Sequence, residues 1–230
     1  MNARQKQIME AIIREYQKTG QPVASQVLAG KYFNFSPATI RGEMLALDKE
    51  GMLVQPHHSA GRIPTTRAYR FFVNKLLNEP EEKYEEKENL KKRIAHIDPF
   101  SRQLAAILAD FSHHLGLAGS FDGDFHEAGL SSLFEDEELS HPDALEEILR
   151  GFDTIEKKYE TLFENIDEEI EIFIGEENPI KDFSCCAMIL SGYCRNGERG
   201  FLGILGPKRM NYEKNISLLE EIKKNLNEKI

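Results

Sequence analysis

The chain has 230 residues, of which 40% are hydrophobic and 30% are charged. This composition supplies enough apolar residues for a core and excludes wholesale disorder, and the length predicts one large domain or two small ones. No apolar run approaches the roughly 20 residues of a membrane span, and the first residues, MNARQKQIMEAII, lack a signal-peptide core. We therefore expect a soluble cytoplasmic protein that does not bind a membrane.

The charge is distributed unevenly along the chain. The formal net charge is −10, but residues 1–79 contain 11 Lys and Arg against 6 Asp and Glu, and the remainder contains 18 against 33. The first part therefore carries +5 and the rest −15. A basic N-terminal part followed by an acidic remainder indicates a polyanion-binding domain attached to a second domain.

The first 51 residues predict a helix-turn-helix pattern. Apolar residues recur at helical spacing over residues 5–16, and a shorter helix capped by Ser25 is predicted over residues 25–32. A third helix begins at Ser36, a good N-cap, followed by Pro37, whose missing amide would have no intrahelical partner at that position. Helix, short helix, brief turn and helix is the order typical of a helix-turn-helix motif.

The residues after the third helix predict a wing. Residues 52–55 are interpreted as a strand, residues 56–64 as a loop with a small-residue tip, and Thr65 or Thr66 as the cap of a helix that continues to Leu77. The fold predicted for residues 1–79 is therefore a winged-helix DNA-binding domain.

The exposed face of the third helix is the predicted contact with DNA. Ala38 is small enough to let the helix enter a major groove, while Ser36, Thr39 and Arg41 can reach base edges or phosphates. A packing helix with a solvated face remains the alternative, because similar three-helix arrangements occur in protein-interaction modules. The basic wing residue Arg62, which we expect to contact a phosphate, favours DNA.

The sequence gives no sign of a metal site, a cofactor or an enzyme. His57 and His58 are adjacent in a strand-like loop, so they point apart, and we interpret them as facing DNA rather than a metal. The odd count of three cysteines excludes a disulfide framework, and we favour packing over a redox switch for all three, Cys185, Cys186 and Cys194. No nucleotide loop, hydrolase elbow or kinase motif is present.

Residues 80–230 predict a second domain of α+β class. Helices are expected over residues 90–97, 100–115, 144–163 and 212–226, and antiparallel strands over residues 170–174, 187–193 and 200–205. Residues 116–142 receive no assignment. The apolar stripes at 104–115 and 145–163 are broader than a three-stranded sheet covers, so we expect them to hold a homodimer together, with Leu108 in the interface.

Two regions of the sequence, one near each end of the chain, resemble a known family. The string SPATIRGEMLALDKEGMLVQPHHSAGRIPTTRAYRFFVNKLL, residues 36–77, resembles the winged-helix domain of the HrcA family of bacterial heat-inducible transcription repressors. Residues 173–193 (FIGEENPIKDFSCCAMILSGY) and 200–216 (GFLGILGPKRMNYEKNI) resemble the closing part of its GAF-like dimerisation and effector domain.

The resemblance implies a repressor that binds an inverted repeat upstream of chaperone operons as a homodimer. It also implies that the GroE chaperonin keeps the repressor active and that heat releases it. By position, Ser36, Ala38, Thr39 and Arg41 would face double-stranded operator DNA, and residues 57–62 would form the wing. The chain departs from the family in having Gly42 where an asparagine is usual and in lacking an inserted subdomain.

A second hypothesis assigns a different signal to the second domain. In that hypothesis the GAF-like domain, residues 80–230 with its helical linker, senses a small molecule and the winged helix serves another operon. An apolar pocket with converging polar groups would favour this alternative.

Overall fold

The computed structural model describes residues 1–58, 60–78, 87–94, 102–120, 125–163, 166–195 and 197–227. The chain divides into two compact units, Met1–Pro80 and Glu81–Ile230, which are described separately. Within the described ranges, no helix is both long and apolar enough to cross a membrane.

The first unit is a winged helix, as predicted from the sequence. Its elements in chain order are α1 (Ala3–Thr19), α2 (Ser25–Lys31), α3 (Pro37–Lys49), β1 (Leu53–Val54), β2 (Ile63–Pro64) and α4 (Thr66–Asn78). The two strands pair antiparallel and form the wing. The core has large apolar side chains from α1 to α4 that are almost completely buried, among them Ile8, Ile12, Leu28, Ile40, Leu47 and Phe72.

Side-chain capping explains where α1 begins, but not where α2 begins. Asn2 and Gln5 form a capping box in which each side chain accepts a hydrogen bond from the other residue's backbone amide. The prediction that Ser25 caps the second helix is wrong. Ala24 is the N-cap, without a side-chain hydrogen bond, and Ser25 is already helical and buried.

A charged cluster joins α1 to α2. Lys31 Nζ and Tyr32 Oη each lie 2.6 Å from one carboxylate oxygen of Glu15, whose side chain is mostly buried. The hydrogen bonds from Lys31 and then Tyr32 lower the pKa of Glu15 below its ordinary value. The carboxylate therefore stays ionised and fixes α2 against the central helix of the unit.

The second unit is built on a five-stranded antiparallel sheet. Its elements are α5 (Lys87–Ile94), α6 (Arg102–Ser112), β3 (Leu115–Ser120), β4 (Phe125–Ala128), α7 (Leu130–Phe134), α8 (Pro142–Phe163), β5 (Ile170–Ile174), β6 (Cys186–Arg195), β7 (Glu198–Pro207) and α9 (Tyr212–Asn227). The strand order is β4-β3-β7-β6-β5. The α+β class is as predicted, but the sheet has two more strands than expected.

Both missed strands lie in or beside the stretch that received no assignment. The predicted helix over residues 100–115 ends at Ser112, because His113 takes a left-handed conformation with φ of 60°, and Leu115 opens β3. Strand β3 is buried on both faces, so its sequence shows no alternation of polar and apolar residues.

Helices cover both faces of the sheet. On one face, Met188 and Leu190 of β6 belong to a buried cluster with Ile148 and Ile155 of α8. On the other face α6 packs closely on β3, where a Cβ atom on Gly116 would lie 2.2 Å from the Ala105 carbonyl oxygen. The sheet is therefore the middle layer of this unit.

The position of Leu108 corrects the expected dimer interface. Leu108 is completely buried on α6, and its Cβ would lie 2.7 Å from a Cβ on Gly116. The apolar stripe on α6 covers the unit's own sheet and is not available to a second copy.

The three cysteines have different environments. Cys186 is buried and Cys185 is half-buried against the same apolar cluster, which agrees with packing. Cys194 is exposed, so the packing interpretation is wrong for that residue, which lies near the hairpin end of β6.

Candidate nucleic-acid interface

The N-terminus of α3 is organised by a side-chain cap. Ser36 is the N-cap, and its Oγ accepts a hydrogen bond from the Thr39 amide at 3.1 Å. The two hydroxyl oxygens of these residues lie 2.9 Å apart and share a further hydrogen bond. Pro37 follows as the first helical residue, as predicted. Both hydroxyls are exposed and oriented by each other before any ligand arrives.

The rest of α3 separates clearly into two faces. Ile40, Met44 and Leu47 are buried in the unit. The exposed positions are Ala38, Thr39, Arg41, Gly42, Leu45 and Lys49. Three of the predicted site residues on this helix, Ala38, Thr39 and Arg41, therefore lie on the accessible face.

The wing is held by contacts on both sides of its loop. The Gln55 side-chain amide donates hydrogen bonds to the carbonyl oxygens of His58 and Ala60, each at 3.0 Å. Val23, between α1 and α2, exchanges two backbone hydrogen bonds with Arg62. Sequence reasoning missed the role of Gln55, whose only signal was its position at the end of the predicted strand.

Arg62 is ion-paired within the protein. Its Nε lies 2.8 Å from a carboxylate oxygen of Asp48 near the end of α3, and its side chain is 15% exposed. The N–H of this Nε is not directed at the oxygen, so the contact is an ion pair rather than an aligned hydrogen bond. The pair fastens the return strand of the wing to the recognition helix.

The recognition helix and the wing enclose a polar groove. The groove has a volume of about 440 Å³, and Arg41 of α3, Gln26 of α2 and His58 of the wing are among its lining residues. His57 and His58 are exposed beside it. The structure therefore brings Arg41, His58 and Arg62 together at one groove, while Ser36 and Thr39 lie at the N-terminal end of the same helix.

Ion pairs within the first unit occupy several of its Lys and Arg side chains and leave others available to bind a ligand. Every carboxylate in residues 1–58 and 60–78 has a cationic partner in this unit. The pairs are Glu10 with Lys75, Glu15 with Lys31, Glu43 with Arg4, Asp48 with Arg62, and Glu50 with the N-terminal amine of Met1. Arg41 and Lys49, both on the exposed face of α3, have no protein partner among the described residues. Two cations on the exposed face of α3 are therefore available to a ligand.

In the part of the chain that the structure describes, no three His, Cys, Asp or Glu side chains are grouped so as to hold an ion.

Sequence models of one protein family match almost the whole chain. The model described as winged helix-turn-helix transcription repressor, HrcA DNA-binding, matches residues 1–78. The model described as HrcA protein C terminal domain matches residues 65–216. The chain belongs to the HrcA family. Since this is a family of transcription repressors, the prediction that the chain is not an enzyme is confirmed.

Two curated relatives align with this chain to different extents. The heat-inducible transcription repressor HrcA of Carboxydothermus hydrogenoformans is 25% identical over 334 aligned positions, which cover 99% of this chain and 98% of the relative. Because this chain has 230 residues, more than 100 of those positions have no counterpart in it. HrcA of Thermoanaerobacter sp. strain X514 is 41% identical over 124 residues, which cover 51% of this chain and 35% of the relative.

A solved structure shares the fold. A crystal structure of a protein described as hypothetical, at 2.2 Å resolution, superposes with a TM-score of 0.78 at 20% identity, covering 99% of this chain and 98% of the other. This likeness supports the arrangement of a winged helix followed by a GAF-like α+β unit.

Proposed function

We propose that this HrcA chain represses heat-shock genes by inserting α3 into the major groove of an operator while the wing lies beside it. The exposed face of α3 carries the proposal, because Arg41 projects there without a protein partner among the described residues. Residues 1–79 act as the DNA-binding domain and residues 80–230 as the dimerisation and regulatory domain. The repressor acts in the cytoplasm, where the operator DNA is.

Each predicted site residue has a role in this proposal. Ser36 and Thr39 present hydroxyls and Ala38 a small surface at the helix N-terminus, while Arg41 reaches a base edge. His57 and His58 face a phosphate or the adjacent groove from the wing. Arg62 positions the wing through Asp48, a role that differs from the direct phosphate contact expected from its charge alone.

The operator is an inverted repeat, and the repressor binds it as a homodimer. When two winged-helix domains are linked in a dimer, binding of the first to one half-site raises the effective concentration of the second at the other half-site. A single domain lacks this gain. On the second unit, Leu149 of α8 is 54% exposed and Phe134 of α7 is 36% exposed. These side chains replace Leu108 as the proposed contact with a second copy.

Sedimentation of the full chain tests the dimer. We expect a dimer for the wild type and a monomer for Leu149→Asp, with weaker operator binding by the monomer. Leu77→Asp, which changes an exposed leucine of α4 in the first unit, is the matched control and should remain dimeric. A wild type that is a monomer at tens of micromolar, or a dimeric Leu149→Asp, contradicts this surface.

In this proposal, the GroE chaperonin keeps the repressor in the form that binds the operator. Adding purified chaperonin should raise the fraction of protein that binds the operator, most of all after mild heating. Equal binding with and without chaperonin over a temperature series would contradict this and favour the small-molecule sensor.

One cavity in the described part of the second unit is smaller than a typical ligand pocket. It lies beside the end of β6, has a volume of about 210 Å³ and is lined by residues that include Ile166, Tyr193 and Arg199. Ligand pockets typically have volumes of about 300 to 1,000 Å³.

The direct test of the function uses the DNA upstream of this protein's gene and of the neighbouring chaperone genes. A shared inverted repeat should be bound by the purified chain, and binding should fail when one half-site is scrambled. Absence of a shared repeat, or equal binding to scrambled DNA, contradicts the proposal.

A further inference from the structure

Leu45 is an apolar residue on the surface that the proposed function assigns to DNA. Its side chain is 48% exposed, more than that of any other large hydrophobic residue in the described part of the first unit. The core of α3 is already complete with Ile40, Met44 and Leu47. Packing within the unit therefore does not explain a leucine at this position.

The residues next to Leu45 on the helix indicate which kind of ligand surface contacts its side chain. Arg41 lies one helical turn before it and Lys49 one turn after it, on the same face, and neither has a protein partner among the described residues. Arg41 reaches a base edge in the proposed function, and Lys49 is available for a phosphate. An apolar side chain between them fits a surface that presents base edges, negative charge and an apolar group close together. Duplex DNA has this pattern, with phosphates on both sides of the major groove.

The groove itself offers one apolar group. Base edges in the major groove present hydrogen-bond donors and acceptors, and only thymine adds a methyl group, at C5. A leucine placed against donors or acceptors would leave them without hydrogen bonds, which is unfavourable. We propose that Leu45 contacts a thymine methyl in each operator half-site and so determines part of the sequence preference. This inference rests on the proposed function.

The helix surface allows this approach. A Cβ atom on Gly42 would have no atom within 4 Å, so the surface three residues before Leu45 is open. Ala38, a further turn towards the N-terminus, is also small and exposed. Two small residues on this face let the helix lie deep in the groove, where a leucine side chain reaches the methyl edge of a thymine.

Substituting deoxyuridine for thymine tests the contact, because this change removes the C5 methyl group and leaves the base pairing intact. Fluorescence anisotropy with the full chain would measure the affinity for operator duplexes in which each thymine is replaced in turn. Burying one methyl group contributes about 0.8 kcal/mol, so the wild type should lose about fourfold in affinity at one thymine per half-site. Leu45→Ala should bind the thymine and uracil duplexes equally at that position.

The controls separate this inference from the function on which it rests. Leu77→Ala removes another exposed leucine of the same unit and should keep the full discrimination between thymine and uracil. Thermal melting should show that both variants are folded. If the wild type binds the operator but tolerates uracil everywhere, or if Leu45→Ala keeps the discrimination, Leu45 does not contact a methyl group. If the wild type does not bind the operator at all, the proposed function itself is wrong.

Discussion

Arg41 differs from most cations of the winged helix in having no partner among the described residues. Arg4, Lys31, Arg62 and Lys75 are each bound to a carboxylate. A guanidinium that is exposed on a recognition helix can form two hydrogen bonds to a guanine edge, whereas an ion-paired one must first lose its partner.

We expect Arg41→Ala to weaken operator binding by roughly 1 to 3 kcal/mol and to relax the preference at one base pair per half-site. Binding to a set of single-substitution operators measures both effects. Arg14→Ala changes a cation of α1 that stacks on Phe72 and is a suitable control. If affinity and preference both survive Arg41→Ala, the recognition helix has been placed incorrectly.

Arg62 tests whether a basic wing residue acts directly or through its partner. If it positions the wing, Arg62→Ala should weaken binding without changing the slope of log K against log salt concentration. The double variant with Asp48→Asn should then bind no more weakly than Arg62→Ala alone, because the same ion pair is already lost. A slope that becomes shallower by about 0.9 would show instead that Arg62 contacts a phosphate.

His114 gives the second unit a pH-dependent stability. Burial, together with the nearby charges of His113, Arg209 and Lys214, lowers the pKa of His114 to about 4. The folded protein therefore keeps this histidine neutral while the unfolded chain, with a pKa near 6.5, takes up a proton as the pH falls. The stabilising contribution is complete above pH 6.5 and is lost progressively from there towards pH 4.

Urea denaturation at several pH values measures this loss. Between pH 7.5 and pH 5 the free energy of unfolding of the second unit should fall by about 2 kcal/mol through His114 alone. His114→Gln, which carries no titratable group, should be less stable at pH 7.5 but should lose about 2 kcal/mol less over the same interval. An identical pH dependence in the two proteins would show that His114 is charged in the folded state.

At the scale of the elements, the wing depends on contacts from outside itself. Strands β1 and β2 have two residues each, which is too short for independent stability. The wing also makes a close backbone approach, because a Cβ atom on Gly61 would lie 2.3 Å from the carbonyl oxygen of Val23.

We expect Gly61→Ala to displace the wing from Val23, between α1 and α2, and to weaken DNA binding, while the second unit keeps its stability. Gly30→Ala is the control, because a Cβ atom on this exposed helical glycine meets no atom within 4 Å and alanine favours a helix. Operator affinity and thermal melting of both variants measure the effect. Wild-type affinity in Gly61→Ala would mean that the wing does not contribute to DNA binding.

The sequence predicted most elements whose signal is local. Ser36 and Pro37 mark the start of α3, and a strict helical spacing marks α1 and α8, so these elements were predicted within a few residues. The same spacing misled the prediction for α6. Leu115 lies in helical phase with Phe111, but the left-handed conformation of His113 ends the helix between them. No glycine or proline at this point predicts the end of the helix.

The candidate site was predicted only in part, for a related reason. The exposed residues of α3 follow from helical periodicity alone, so Ala38, Thr39 and Arg41 could be placed before the structure was known. The partners Asp48 and Gln55 depend on how the wing folds back on α3, a tertiary contact that no local pattern encodes. The role proposed for Arg62 from its ion pair with Asp48 therefore differs from the phosphate contact that its charge alone predicts.

At the scale of the whole molecule, charge separates the two units. Residues 1–79 carry +5 and the remaining residues −15, so phosphates attract the first part of the chain and are repelled by the second. More than 100 positions in the alignment with the Carboxydothermus hydrogenoformans relative have no counterpart here, and the described residues of the second unit form a five-stranded sheet. The absence of those positions is therefore compatible with a folded second unit.

The central claim is that the α3 face of this chain recognises one DNA sequence. Titration of the full chain with its own upstream inverted repeat and with a scrambled duplex, at salt concentrations from 50 to 200 mM, tests it most directly; these concentrations span about a fourfold range in which phosphate contacts have large effects. We predict an affinity at least about 10³-fold higher for the repeat, and a log-log salt slope of about −0.9 for each phosphate contact. Equal affinity for the two duplexes, or binding that does not change with salt, would contradict it.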